Sequence, residues 1–152
     1  MCVFRVYSKN TSFKQFLDNN PELPVYQLYE KGERPEIGNE NSVYEDYSFS
    51  CDVSDREWND LEGQIIDMIS FLEVYSPLLQ KLKSTHDIDD WRFDLPYECR
   101  LNQINFSQFD YLPPKLIQLS GKLAIGIELS LYWPSQGETL EEEISADSDT
   151  DN

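Results

Sequence analysis

YSFSCDVSDREWNDLEGQIIDMISFL, residues 47–72, changes its hydrophobic period midway, and that change decides the fold. Tyr47, Phe49, Cys51 and Val53 alternate with Ser48, Ser50 and Asp52, and Val43 and Asp46 extend the same two rows upstream. Neighbouring side chains of a strand point to opposite faces, so the alternation predicts a strand with one buried and one wet face. From Ser54 the period is helical. Ser54-Asp55-Arg56-Glu57 reads as a capping box, Asp55 suits the positive end of the helix dipole, and Val53 can staple against Trp58. Trp58, Leu61, Ile65, Ile66, Met68, Ile69 and Leu72 then form one broad apolar face, which predicts a central core helix. Each large side chain contributes about 1.5–3 kcal/mol on full burial. Ser76-Pro77 is expected to end this helix and start another, with Leu78, Leu79 and Leu82 prolonging the apolar surface.

Working outward, Cys2–Tyr7 and Val25–Tyr29 read as strands rich in β-branched and aromatic residues. Between them Ser12 and Gln15 fit a capping box for a short helix that Asn19-Asn20-Pro21 stops. The charged, glycine-containing run from Gly32 to Asn41 reads as a loop. Trp91, Phe93, Leu95, Tyr97, Cys99 and Leu101 alternate with Arg92, Asp94, Pro96, Glu98 and Arg100, a second clear strand. Pro96 lacks the amide a central ladder needs, so this strand is expected at an edge or with a bulge there. Pro113-Pro114 sets a helix start and Gly121 its stop, and a last strand runs from Leu123 to Trp133. One-faced strands and one long one-faced helix make the economical fold an α+β two-layer sandwich: a mainly antiparallel sheet with one long core helix packed on one face. Residues 1–136 are expected to form this single domain, and 137–152, ending in DSDTDN, a disordered acidic tail.

Charge bounds the function. Twenty-nine acids against 12 lysines and arginines give −17 over 152 residues, and seven of those acids follow Gly137 with no basic residue among them. Binding to nucleic acid or anionic membrane draws on basic residues that displace counterions, so neither is expected as a partner. A basic protein is. The start of the chain has neither the basic residues nor the apolar run of a signal peptide, and no apolar stretch is long enough to span a bilayer, so a cytoplasmic protein is expected. Cys2, Cys51 and Cys99 are odd in number, widely spaced and without a CxxC pair, which predicts reduced core thiols.

No phosphate-binding glycine loop, nucleophile elbow or zinc-helix string occurs, and no catalytic residue, metal or cofactor is assigned. His86, Asp87, Asp89, Asp90 and Asp94 crowd into one connection, and a solvated loop competes there with a metal or imidazole site. The candidate partner surface is the wet row of the strands: Asp46, Asp52, Asp94, Glu98 and Glu128 fall on non-core positions, with Tyr44, Tyr132 and Trp133 as aromatic anchors. If the strands are neighbours, these acids form one field.

YSFSCDVSDREWNDLEGQIIDMISFL, then DIDDWRFDLPYECRL at 87–101 and YLPPKLIQLSGKLAIGIELSLYW at 111–133, resembles a bacterial family of small uncharacterised proteins, a domain of unknown function. The resemblance implies an α+β domain without an assigned reaction, and some comparable acidic proteins act as immunity partners of secreted toxins. The expected function is therefore non-enzymatic protein binding: an immunity protein that neutralises a basic, nuclease-type toxin through an acidic surface. The alternatives are a small enzyme or ligand-binding domain centred on His86 and Asp90, or a housekeeping interaction module.

Overall fold

A computed structural model describes residues 2–35, 42–102 and 104–133. The elements run β1 (Cys2–Ser8), α1 (Lys14–Asp18), β2 (Val25–Tyr29), β3 (Tyr47–Ser54), α2 (Leu61–Thr85), β4 (Asp90–Glu98), α3 (Pro114–Leu123) and β5 (Gly126–Tyr132). The sheet order is β2-β3-β1-β4-β5, antiparallel except for the β4–β5 pair, which is parallel. The fold is thus the expected α+β layer arrangement. The acidic segment expected to begin at residue 137 lies outside the described residues.

One core holds the two layers together. Phe4 and Val6 of β1, Phe49 and Cys51 of β3, and Trp91, Phe93 and Leu95 of β4 meet Ile65, Met68, Phe71, Leu72, Leu79 and Leu82 of α2. Phe4 stands at the centre, its ring 5.1 Å from Phe93, 5.6 Å from Phe71 and 6.1 Å from Trp91. Tilted rings at these separations gain electrostatic complementarity beyond the area they bury. Leu116 and Leu123 of α3 complete the helical layer.

The helix boundaries depart from the expected ones. α2 begins at Leu61, capped by Asp60, whose carboxylate accepts from the Gly63 amide at 3.0 Å. Ser54 instead ends β3, and its hydroxyl donates to Asp67 at 2.7 Å. Trp58 therefore precedes the helix, and Ile66 is exposed. Pro77 does not interrupt α2, which continues to Thr85. Its ring is on the exposed side of the helix, where a missing amide and a crowded carbonyl are least costly, and the Ser76 hydroxyl donates to Leu72 O one turn back. Phe13, with no side-chain cap, begins α1 in place of Ser12, whose hydroxyl accepts from Lys14 N and donates to Glu30. Val43 and Leu101 lie outside the strands and are exposed.

α3 passes through Gly121 and ends on Ala124, in the left-handed region at φ 60°. Glycine is the usual residue there, and the alanine is held in place from three sides. Ile125 N donates to Ser120 O at 2.9 Å, the Trp91 indole donates to Ala124 O at 3.0 Å, and Lys83 Nζ reaches Leu123 O at 2.7 Å.

Pro96 is on an interior strand, yet at a place where that strand has one neighbour. Pairing with β1 stops at Val3–Asp94, and only β5 accompanies β4 beyond it. Cys99 N donates to Tyr132 O, so odd-numbered residues of this stretch turn their amides toward β5 and Pro96 turns its missing one away. The vacated side is closed from the α2 approach. Glu98 N donates to Trp58 O at 3.2 Å, and the buried Gln64 amide donates to both Pro96 O (3.0 Å) and Glu57 O (3.2 Å). Glu57 O also accepts from Asp60 N at 3.1 Å, so replacing Gln64 by Leu leaves Pro96 O unpaired, and Gln64→Leu should lose about 1–3 kcal/mol in urea unfolding. An unchanged midpoint and slope would show that this clamp contributes nothing.

His86 caps α2 and packs between aromatic rings of α1: it stacks on Phe13 at 5.7 Å and meets Phe16 edge-on at 5.3 Å. Burial lowers its pKa from 6.5. A folded pKa below the unfolded one means that the unfolded chain binds the extra proton first. The stability the neutral ring provides is complete above about pH 6.5 and is lost as pH falls through the lower, folded value. His86→Phe should accordingly flatten the dependence of melting temperature on pH between about 7 and about 5, above the carboxylate range. An identical slope in both proteins would remove His86 from this role.

Candidate protein-binding surface

The register that buries Phe4 turns Val3, Arg5 and Tyr7 to the other face of the sheet. The pairing then lays out that face in rows. Ser50, Arg5, Arg92 and Gly126 make one row; Asp52, Val3, Asp94 and Glu128 make the next; Pro96 with Ser130, and Glu98 with Tyr132, follow. Asp52, Asp94, Glu98 and Glu128 thus share one face, and among the described residues no helix covers it.

Arg5 and Arg92 sit side by side, as do Asp94 and Glu128, and directly opposed like charges destabilise a sheet. The conflict is resolved diagonally. Arg5 Nη2 is 2.9 Å from Asp94 Oδ2, whose other oxygen accepts from Ser130 at 2.6 Å. Arg92 binds Asp90, and its Nε lies 2.7 Å from Glu128 Oε2 without the alignment of a hydrogen bond. Burial alone would lower the Arg5 pKa, but Asp94 and Tyr7 more than offset it and the value is raised. The face is therefore a lattice of paired charges. Of the four acids placed on it, Asp52 and Glu98 alone have no ion pair among the described residues.

The remaining candidates go elsewhere. Asp46 lies in the bend before β3, not on the strand. Tyr44 stacks on Tyr29 at 4.1 Å and bonds through its backbone to Gly32 and Glu33, bracing the β2–β3 connection. Trp133 follows β5 and is 74% exposed. Tyr132 stacks on Trp58, centroids 4.6 Å apart and planes at 23°, with the two residues 43% and 45% exposed.

That stack marks the surface that periodicity alone misses. Where β3 leaves the sheet and α2 begins, Asp52, Asp55, Glu57, Asp60 and Glu62 occur within 11 residues against Arg56. Arg56 binds Asp60 and Asp67, both at 2.9 Å, and these contacts with the Gly63 amide hold the Asp60 carboxyl below its usual range. A methyl on Gly63 would collide with Asp60 and Arg56, so the pair lies flat on the helix start. Asp52, Asp55, Glu57, Glu62 and, across the stack, Glu98 have no ion pair among the described residues. The acid density of DVSDREWNDLE was visible in the sequence, but the capping-box pattern there points to a helix start instead of a surface.

The carboxylates near His86 brace the chain: Asp89 accepts from Lys9 N at 2.7 Å and Asp87 from the Asn10 amide at 3.0 Å, which ties the β4 approach to the turn after β1, while Asp90 holds Arg92 within β4. No three metal-ligating side chains converge among the described residues. Burial pushes the Cys2 thiol up to about 12 and raises Cys51 further, so both stay protonated at neutral pH. Among the described residues no helix is long and apolar enough to cross a membrane. No family model, curated protein or solved structure matches the chain.

Proposed function

We propose that the protein is a non-enzymatic protein-binding module, an immunity protein that neutralises a basic, nuclease-type toxin. One observation carries this reading: the half-exposed Trp58–Tyr132 stack is flanked by Glu57 in sequence and by Glu98 in strand register, neither of which has an ion pair among the described residues. Stacked aromatic rings offer a large, rigid contact area at low entropic cost, which suits the centre of an interface. The surrounding negative potential accelerates encounter with a positive partner and rejects acidic ones. A toxin that acts on nucleic acid presents a cationic cleft, and an acidic, aromatic surface can occupy it in place of phosphate and base. Asp94 and Glu128, already paired with arginine, belong to the scaffold of the site and not to its contact surface.

The test is retention of proteins from the source cell on the immobilised full chain, compared with a Trp58→Ala/Glu57→Gln/Glu98→Gln variant. The wild type should retain a basic protein at about 0.1 M salt and release it near 1 M, as the screening length falls from about 10 Å to about 3 Å. The variant should lose it at both. Retention of the same proteins by both chains, or of none that is basic, would overturn the assignment.

A further inference from the structure

The two edges of the sheet are built differently. β2 is short, follows Pro24 and carries an irregularity between Val25 and Gln27, all features that discourage pairing with another chain. β5 has seven residues, no proline and no register shift, and its one charge, Glu128, is in contact with Arg92. Tyr132 O accepts from Cys99 N, so even-numbered residues of β5 turn toward β4 and the amides and carbonyls of Ile127, Leu129 and Leu131 point outward. Those groups have no backbone partner among the described residues. On the helix side Leu129 and Leu131 are left 49% and 52% exposed.

We infer that β5 is the interface of a two-fold homodimer in which it pairs antiparallel with β5 of a second copy, centred on Leu129. Outward-pointing groups sit on odd positions, any two-fold pairing matches odd positions with odd ones, and centring it on Leu129 pairs all three among themselves. Ile127 then faces Leu131 of the partner subunit and Leu129 faces its own equivalent. Three reciprocal hydrogen-bonded pairs form, and one apolar stripe runs across both copies. On the polar side Glu128 faces Ser130 of the partner subunit, so no like charges are opposed. Gly126 faces Tyr132 of the partner subunit, which leaves the aromatic stack room to remain exposed.

Charge permits a second copy here. Residues 112–133 contain Lys115, Lys122 and Glu128, a local excess of one positive charge in a chain of −17. Two copies approaching along this edge do not set like acidic clusters of residues 112–133 against each other. The inference stands independently of the proposed partner.

Sedimentation equilibrium of the full chain across a dilution series should give twice the 17.8 kDa chain mass at high concentration. Leu129→Lys sets two cations against each other on the axis and should halve that mass with the far-ultraviolet spectrum unchanged. Leu129→Cys should give a covalent dimer on mild oxidation, since equivalent Cα atoms of a hydrogen-bonded pair lie about 5.5 Å apart, within disulfide reach. The native thiols are buried and do not compete. Ser130→Cys, which faces Glu128 of the partner subunit, should not cross-link. A chain mass at every concentration, a dimer that survives Leu129→Lys, or equal cross-linking at 129 and 130 would each overturn the inference.

Discussion

The burial of Phe4 between α2 and the sheet is the constraint on which the rest depends. β1 is the central strand, with β3 on one side and β4 on the other, and its parity sets theirs. A one-residue slip would send Phe4 and Val6 to water and bring Arg5 and Tyr7 into the core, a change no local adjustment can absorb. With Phe4 fixed against Phe71 and Phe93, Arg5 must lie beside Arg92, and Asp94 beside Glu128. The polar face is thus a by-product of core packing, and its ion pairs follow from it.

This has a consequence for how an acidic chain presents itself. Charge on a sheet centre is partly spent on reconciling neighbours, whereas charge on a connection that enters a helix is free of that demand. Asp94 and Glu128 belong to the first kind, Asp55, Glu57 and Glu62 to the second. Among the described residues, acids without an ion pair therefore gather on the connection where β3 gives way to α2, which also carries Trp58.

Period-2 alternation made β3, β4 and β5 legible, β-branched and aromatic composition β1 and β2, and a helical period the long helix, because burial of one face leaves a regular mark on the sequence. Boundaries were less so. Ser54-Asp55-Arg56-Glu57 has the letters of a capping box, but Ser54 is held in β3 and the helix waits for Asp60. Pro77 inside α2 and Ala124 in a left-handed turn go against local preference, and tertiary contacts decide both. The polar row of acids was legible as a row. Its partners were not, since the pairing of Arg5 with Asp94 depends on which strands are neighbours, and sequence order conceals that β1 lies between β3 and β4. Nor does periodicity distinguish Trp58 in a core from Trp58 stacked on a residue 74 positions later.

Sequence distance makes the centre of this sheet costlier to close than its β5 edge. β1 meets β3 through pairs from Ser8–Tyr47 to Cys2–Ser54 and β4 through pairs from Tyr7–Asp90 to Val3–Asp94, separations of 39 to 91 residues, whereas Arg92 and its register mate Gly126 are 34 residues apart. The entropy of loop closure rises with that separation, so the largest cost falls on the central strand and not on β5.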